Sequence, residues 1–153
     1  MELDKNKIME FQKNRDPYLM IDYVTNVIPG EKSDGYKLLR PDEWFFKVHW
    51  PDDPNMPGAL QLESLTQMSA MSILTLPGNK GKTLYVSSIE KIRFYKKVVP
   101  NEKFIIKTRI KKFLRGIADS VGQGYQDNKL TCEAQFKLVM YDELNNFKIN
   151  KCR

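Results

Sequence analysis

The chain has 153 residues, about one ordinary domain, with 41% hydrophobic and 29% charged residues and a formal net charge of +6. That composition excludes disordered, collagen-like and fibrous classes, and the lack of any run of roughly eighteen apolar residues excludes a membrane-spanning helix. The single histidine, His49, excludes a histidine-rich metal site and a two-histidine mechanism within one chain, so no metal and no cofactor is expected.

The first residues, MELDKNKIMEF, carry acids and no apolar leader core, which predicts no secretory signal and a cytoplasmic protein. Lys5 to Phe11 reads as a short helix. Tyr18 to Val27 reads as a strand that stops at the turn pair Pro29-Gly30, and Tyr36 to Leu39 as a second short strand. Pro41-Asp42-Glu43 has the proline and acids of a helix start. From Pro54 to Asn79 the only charged side chain is Glu63, and the apolar residues between Pro57-Gly58 and Pro77-Gly78 fall on every side of a helical wheel. A helix apolar all round is a buried helix.

Leu84 to Tyr95, Phe104 to Lys111, Ile117 to Tyr125 and Leu130 to Tyr141 read as strands, the last with eleven residues of strict alternation and a hairpin turn at Asp127-Asn128 before it. Sheet and buried helix together predict an α+β domain over residues 1–144, in which an antiparallel sheet wraps around one helix. Residues 145–153 read as a polar, basic, loose tail. The two cysteines, Cys132 and Cys152, read as reduced thiols.

The charge is uneven. Residues 91–115 hold ten basic residues and one acid, a balance of +9 that leaves −3 for the rest. Such a segment predicts an acidic partner or an ordinary solvated strand face. It carries no helix-turn-helix and no aromatic-interleaved pattern, so nucleic acid is not the expected partner.

Three residues stand out chemically. Glu63 is either a desolvated carboxyl that holds a proton, and hence a general acid, or a side chain turned to solvent or a lysine. His49 leads a loop stiffened by Pro51, Pro54 and Pro57 into the helix N-terminus. Gly58 opens that helix, where free N–H groups and the dipole suit an oxygen gaining negative charge. A base, an acid and an oxyanion donor suffice to remove a proton beside a thioester carbonyl and expel a β-hydroxyl.

The order His49-Trp50-Pro51, Met56-Pro57-Gly58, Glu63 and Gln67 resembles the β-hydroxyacyl-acyl-carrier-protein dehydratases FabZ and FabA, whose pattern is His-Phe-Pro, Met-Pro-Gly, a carboxylate fourteen residues after the histidine and a glutamine four further on. Arg15-Asp16-Pro17-Tyr18-Leu19 with Asp22, Ile92-Arg93-Phe94-Tyr95-Lys96-Lys97-Val98-Val99-Pro100, Leu114-Arg115-Gly116 and Lys129 to Ala134 are similar to further family segments. The resemblance implies a hotdog fold, a homodimer of a kind often assembled further into a trimer of dimers, with dimer or hexamer left open here, and an acyl tunnel at the dimer interface with His49 from one chain and Glu63 from the other. It implies His49 as base, Glu63 as acid, Gly58 N–H on the thioester oxygen, Gln67 orienting the carboxyl, and Arg93, Lys96 and Lys97 docking an acyl carrier protein. Val48, Trp50 and Asp52 depart from the glycine, phenylalanine and glycine usual there. A hotdog thioesterase and a non-catalytic acyl-binding module are the rival readings.

Overall fold

A computed structural model describes residues 1–151. The helices are α1 (Lys5–Phe11), α2 (Trp44–Val48), α3 (Gly58–Leu74) and α4 (Tyr141–Lys151); the strands are β1 (Tyr23–Ile28), β2 (Lys32–Leu38), β3 (Tyr85–Phe94), β4 (Lys103–Leu114), β5 (Ile117–Gln126) and β6 (Lys129–Val139). The six strands form one antiparallel sheet in the order β1-β2-β4-β5-β6-β3. No described helix is long and apolar enough to cross a membrane.

The sheet curls around α3, which touches β1, β2, β4, β5 and β6. Leu65, Met68, Met71 and Ile73 of α3 are fully buried with Phe104, Ile106, Ala118 and Phe136 from the inner sheet face. Gly122 lets the helix come close: a Cβ there would stand 3.1 Å from the Leu65 Cβ. Such absent side chains are what a strand needs where another element approaches its backbone. Asp127 and Asn128, at φ 51° and 56°, make the β5–β6 hairpin turn, two left-handed residues of the kinds that tolerate that conformation.

Some elements differ from the sequence reading. The first strand begins at Tyr23: the Met20 N–H goes to the Gln67 side chain, and contact with β2 starts with the Asp22 N–H on the Tyr36 carbonyl. The second strand starts earlier, at Lys32, and Thr131 is buried beside Cys132, its hydroxyl donating to the Gly124 carbonyl. Residues 145–151, expected to be loose, continue helix α4. Cys132 is buried and free, and desolvation pushes its thiol up to about 11, far from a nucleophilic thiolate. Cys152 lies outside the described residues.

A buried ionic node anchors the N-terminal half. Lys37 Nζ sits 3.5 Å from Asp22 and 3.1 Å from Glu43, with Lys37 and Asp22 almost wholly enclosed. Asp22 also accepts the Leu38 N–H at 2.8 Å. Buried charges survive only when paired and hydrogen-bonded. Here the pairing ties the 18–22 loop and β2 to Glu43, the residue that precedes α2.

Candidate active site

His49 caps the C-terminal end of α2, its N–H donating to the Phe45 carbonyl at 2.9 Å. Its Nδ1 lies 3.0 Å from the Asn55 carbonyl oxygen. A carbonyl only accepts, so Nδ1 carries the proton, and in the neutral ring Nε2 keeps a free lone pair. The ring stacks on Trp50 with centroids 4.8 Å apart and planes 18° from parallel. Trp50 itself takes a left-handed φ of 55°. The loop is fixed at three more points: Asp53 N–H to the Trp50 carbonyl, Met56 N–H to the Val98 carbonyl, and an ion pair between Asp53 and Lys97. The aromatic residue that departs from the family pattern is thus the one that holds the imidazole flat.

Gly58 begins α3, so its N–H has no acceptor within the helix. The side where a Cβ would project is filled by the Phe94 ring, whose Cζ would be 2.8 Å away. Glycine at this position therefore admits Phe94, rather than opening that side to a ligand. Phe94 is half exposed.

Glu63, in the second turn of α3, is half-buried, and its Oε1 accepts from Gln67 Nε2 at 2.8 Å. Gln67 is buried and fully engaged: Nε2 also donates to the Tyr18 carbonyl at 2.9 Å, and Oε1 accepts the Met20 N–H at 2.8 Å. One amide thereby clamps the acid on the helix to the loop that precedes β1. Tyr18, which sequence reasoning quoted only as part of a motif, flanks this clamp. Burial, and then the negative charge of Glu63, raise its phenol above the ordinary value. Its only signal in the sequence is its position beside Pro17, since nothing local predicts that residue 18 reaches residue 63.

His49 and Glu63 stand in two separate clusters, and among the described residues neither hydrogen-bonds the other. Arg93, one residue before the end of β3, lies opposite Glu133 in register, and Lys96 is exposed. Lys97 is joined to the histidine loop through Asp53.

The sequence profile of the FabA-like domain matches residues 13–135. The chain belongs to the FabA-like family. It is 35% identical over 141 residues to the 3-hydroxyacyl-[acyl-carrier-protein] dehydratase FabZ of Roseiflexus castenholzii, covering 92% of this chain and 99% of the relative. It is also 35% identical over 138 residues to the enzyme of the same name from Clostridium novyi, covering 89% and 97%. Among solved structures it resembles the dehydratase heterocomplex ApeI:P of Xenorhabdus doucetiae, with a TM-score of 0.58 at 19% identity over 72% of this chain and 88% of that one. It resembles the TT0310 protein of Thermus thermophilus with a TM-score of 0.61 at 14% identity, over 82% and 98%. A protein titled a hypothetical thioesterase, from Streptococcus pneumoniae, scores 0.60 at 12% identity over 76% and 82%. These structures share the hotdog fold predicted for this FabA-like chain. At such identities they speak for the fold alone.

The clamp generates a prediction. Replacing Gln67 by Leu roughly keeps the volume but strands the buried Met20 N–H, removes the donor to the Tyr18 carbonyl and frees Glu63. Each orphaned buried group costs about 1–3 kcal/mol. Urea unfolding should show a loss in that range or above it, and turnover should fall with it. Unchanged stability would mean that water replaces the amide.

Proposed function

We propose that this chain is a 3-hydroxyacyl-[acyl-carrier-protein] dehydratase of fatty-acid biosynthesis, converting a (3R)-hydroxyacyl thioester to the trans-2-enoyl thioester, with His49 as base and Glu63 as acid. The observation that carries the residue assignment is the pair of fixed groups: an imidazole whose Nδ1 is committed to Asn55, and a carboxyl whose Oε1 is held by Gln67. Nε2 of His49 takes the proton from C2. The electron pair of that C–H bond forms the C2–C3 double bond, and the C3–O bond breaks. Glu63, in its protonated form, gives its proton to the departing hydroxyl, which leaves as water. Gly58 N–H, at the positive end of α3, stabilises charge that grows on the thioester oxygen. Gln67 is a positioning residue in this scheme, acting through Glu63.

The Glu63→Gln protein keeps the side-chain volume and lacks the acid. Its kcat on carrier-bound substrate should fall by about 10²-fold or more, with the fold retained by circular dichroism. Near wild-type enoyl product would remove Glu63 from the mechanism, and release of free thiol by the wild-type protein in place of enoyl thioester would favour the thioesterase reading.

The carrier protein docks, in this reading, on the cations beside the histidine loop: Arg93, Lys96 and Lys97. Lys97 is spoken for by Asp53, so reversing it would disturb the loop as well as the surface. Lys96 is the cleaner site. Lys96→Glu should raise KM several-fold for carrier-bound substrate, in a salt-sensitive way, and leave a pantetheine surrogate unaffected. Equal losses on both would make Lys96 a structural residue.

The working unit is a dimer. The two sheet edges differ: β1 is covered by a bridge from Leu3 to Val24, whereas β3 is open and exposes Tyr85, Val86, Ile89 and Phe94. An open, apolar edge strand is a template for a second strand, and a two-fold axis through it would join two sheets. Each site then takes His49 from one chain and Glu63 from the other. Co-refolding inactive His49→Ala and Glu63→Gln chains places half of the chains in mixed dimers, each with one intact site, so about a quarter of wild-type activity should return. No recovery, with mixed dimers present by native mass spectrometry, would place both residues of a site in the same chain.

A further inference from the structure

The basic segment of the sequence is larger than carrier docking uses, and the fold disperses it. Arg93, Lys96 and Lys97 lie at and beyond the end of β3, whereas Lys107 and Arg109 lie on β4, on the sheet face turned away from α3. There the strand register builds two rows. One runs Arg109, Val121, Gln135, Lys91 across β4, β5, β6 and β3; the next runs Lys107, Gln123, Glu133, Arg93. Each row has a cation at both ends; Val121 and Gln135 lie between in the first, Gln123 and the carboxylate of Glu133 in the second. The space between the ends is a concave groove of about 310 Å³, lined by Lys91, Lys107, Arg109, Gln123, Glu133 and Gln135 over a floor of Val121, Gly122 and Ala134.

We propose that this groove on the outer sheet face is a binding site for a phosphate group, sharing no residue with the His49 and Glu63 clusters. Lys91, Lys107 and Arg109 have no carboxylate within ion-pair distance among the described residues, in contrast to their neighbours. Lys32, next in the row beyond Arg109, is paired with Asp34 at 3.5 Å, and Lys137 with Asp119 at 2.7 Å. Lys107 is held over the Tyr125 ring at 5.3 Å, and the Tyr125 hydroxyl donates to Gln123. The single acid of the groove, Glu133, accepts from the Tyr95 hydroxyl at 2.6 Å.

Three cations against one carboxylate leave +2 in the groove, which matches a phosphate monoester at close to −2 better than a carboxylate at −1. The guanidinium fork of Arg109 and the amides of Gln123 and Gln135 add directional donors for several oxygens. β4 and β3 lie three strand spacings apart, about 14 Å at ~4.8 Å each. Lysine and arginine side chains rooted on both rims are long enough to meet a single phosphate within that width.

The test is a titration of the isotope-labelled full chain with inorganic phosphate and with pyrophosphate, read by backbone amide shifts, against sodium chloride at matched ionic strength. Saturable shifts should appear at Val121–Gln123 and Glu133–Gln135. The double variant Lys107→Gln, Arg109→Gln should bind about tenfold more weakly or worse, while turning over a pantetheine thioester at the wild-type rate. A second arm uses phosphatidylcholine vesicles containing phosphatidic acid. Vesicle binding that the double variant loses assigns the phosphate to a lipid headgroup, and binding of free phosphate alone assigns it to a soluble ligand. Shifts no different from chloride, shifts confined to residues 93–97, or an unchanged affinity in the double variant would overturn the proposal. So would a groove that responds only to an acidic carrier protein.

Discussion

Helix α3 is apolar around most of its surface, and the rest of the structure follows from covering it. Thirteen of its seventeen residues are buried, so a sheet packed on one side alone would leave apolar surface exposed. The strands instead curl around the helix, and Gly122 permits the approach where β5 meets Leu65. Burial also leads most of the polar residues of α3 to partners inside. Ser64 turns its hydroxyl back to the Leu60 carbonyl, Ser72 to that of Ser69, and Gln61 donates to the Met56 carbonyl. Gln67 donates to Glu63 one turn earlier and also reaches across to the 18–20 loop, where it binds the Tyr18 carbonyl and the Met20 N–H. A packing requirement thereby fixes an ionisable group.

The histidine is fixed by different means. Its loop is irregular, and three prolines remove backbone donors that would otherwise need acceptors. What remains is bound closely, by the Asn55 carbonyl on Nδ1, by Trp50 against the ring and by Lys97 on Asp53. The buried node of Asp22, Lys37 and Glu43 joins the foundations of the two clusters. It ties the loop that clamps Gln67 to the start of the helix that ends in His49. Disturbing one paired charge there would shift both groups relative to each other, because neither ion is stable alone in that setting.

Charge follows the same division between sequence and surface. In the chain, ten cations lie close together between residues 91 and 115. In the fold, a strand sends alternate residues to opposite faces and a hairpin carries them to different strands, so one basic segment becomes two separate groups of cations. One borders the histidine loop. The other spans β4 to β3 across the outer sheet face, with β5 and β6 as its floor.

The sequence by itself determined the elements whose signal is local. The short helix Lys5–Phe11, the buried helix after Pro57, the four long strands and the Asp127-Asn128 turn all rest on periodicity, or on residues with particular backbone freedom, within a few positions. The ordered motif from His49 to Gln67 was equally legible, because loop and helix are contiguous. The start of β1 was not, since residues 18–22 look β-prone yet the Met20 N–H goes to the Gln67 side chain, far along the chain. Nor was the helix at 141–151, whose polar composition carries little helical periodicity. Tyr18 beside Glu63, Phe94 against Gly58, Trp50 flat on His49 and the rows of cations over β4 to β3 came only with the tertiary structure. Each depends on strand register or on a loop packing against a distant element, and those are decided by the whole core closing around α3, not by any neighbour in the chain.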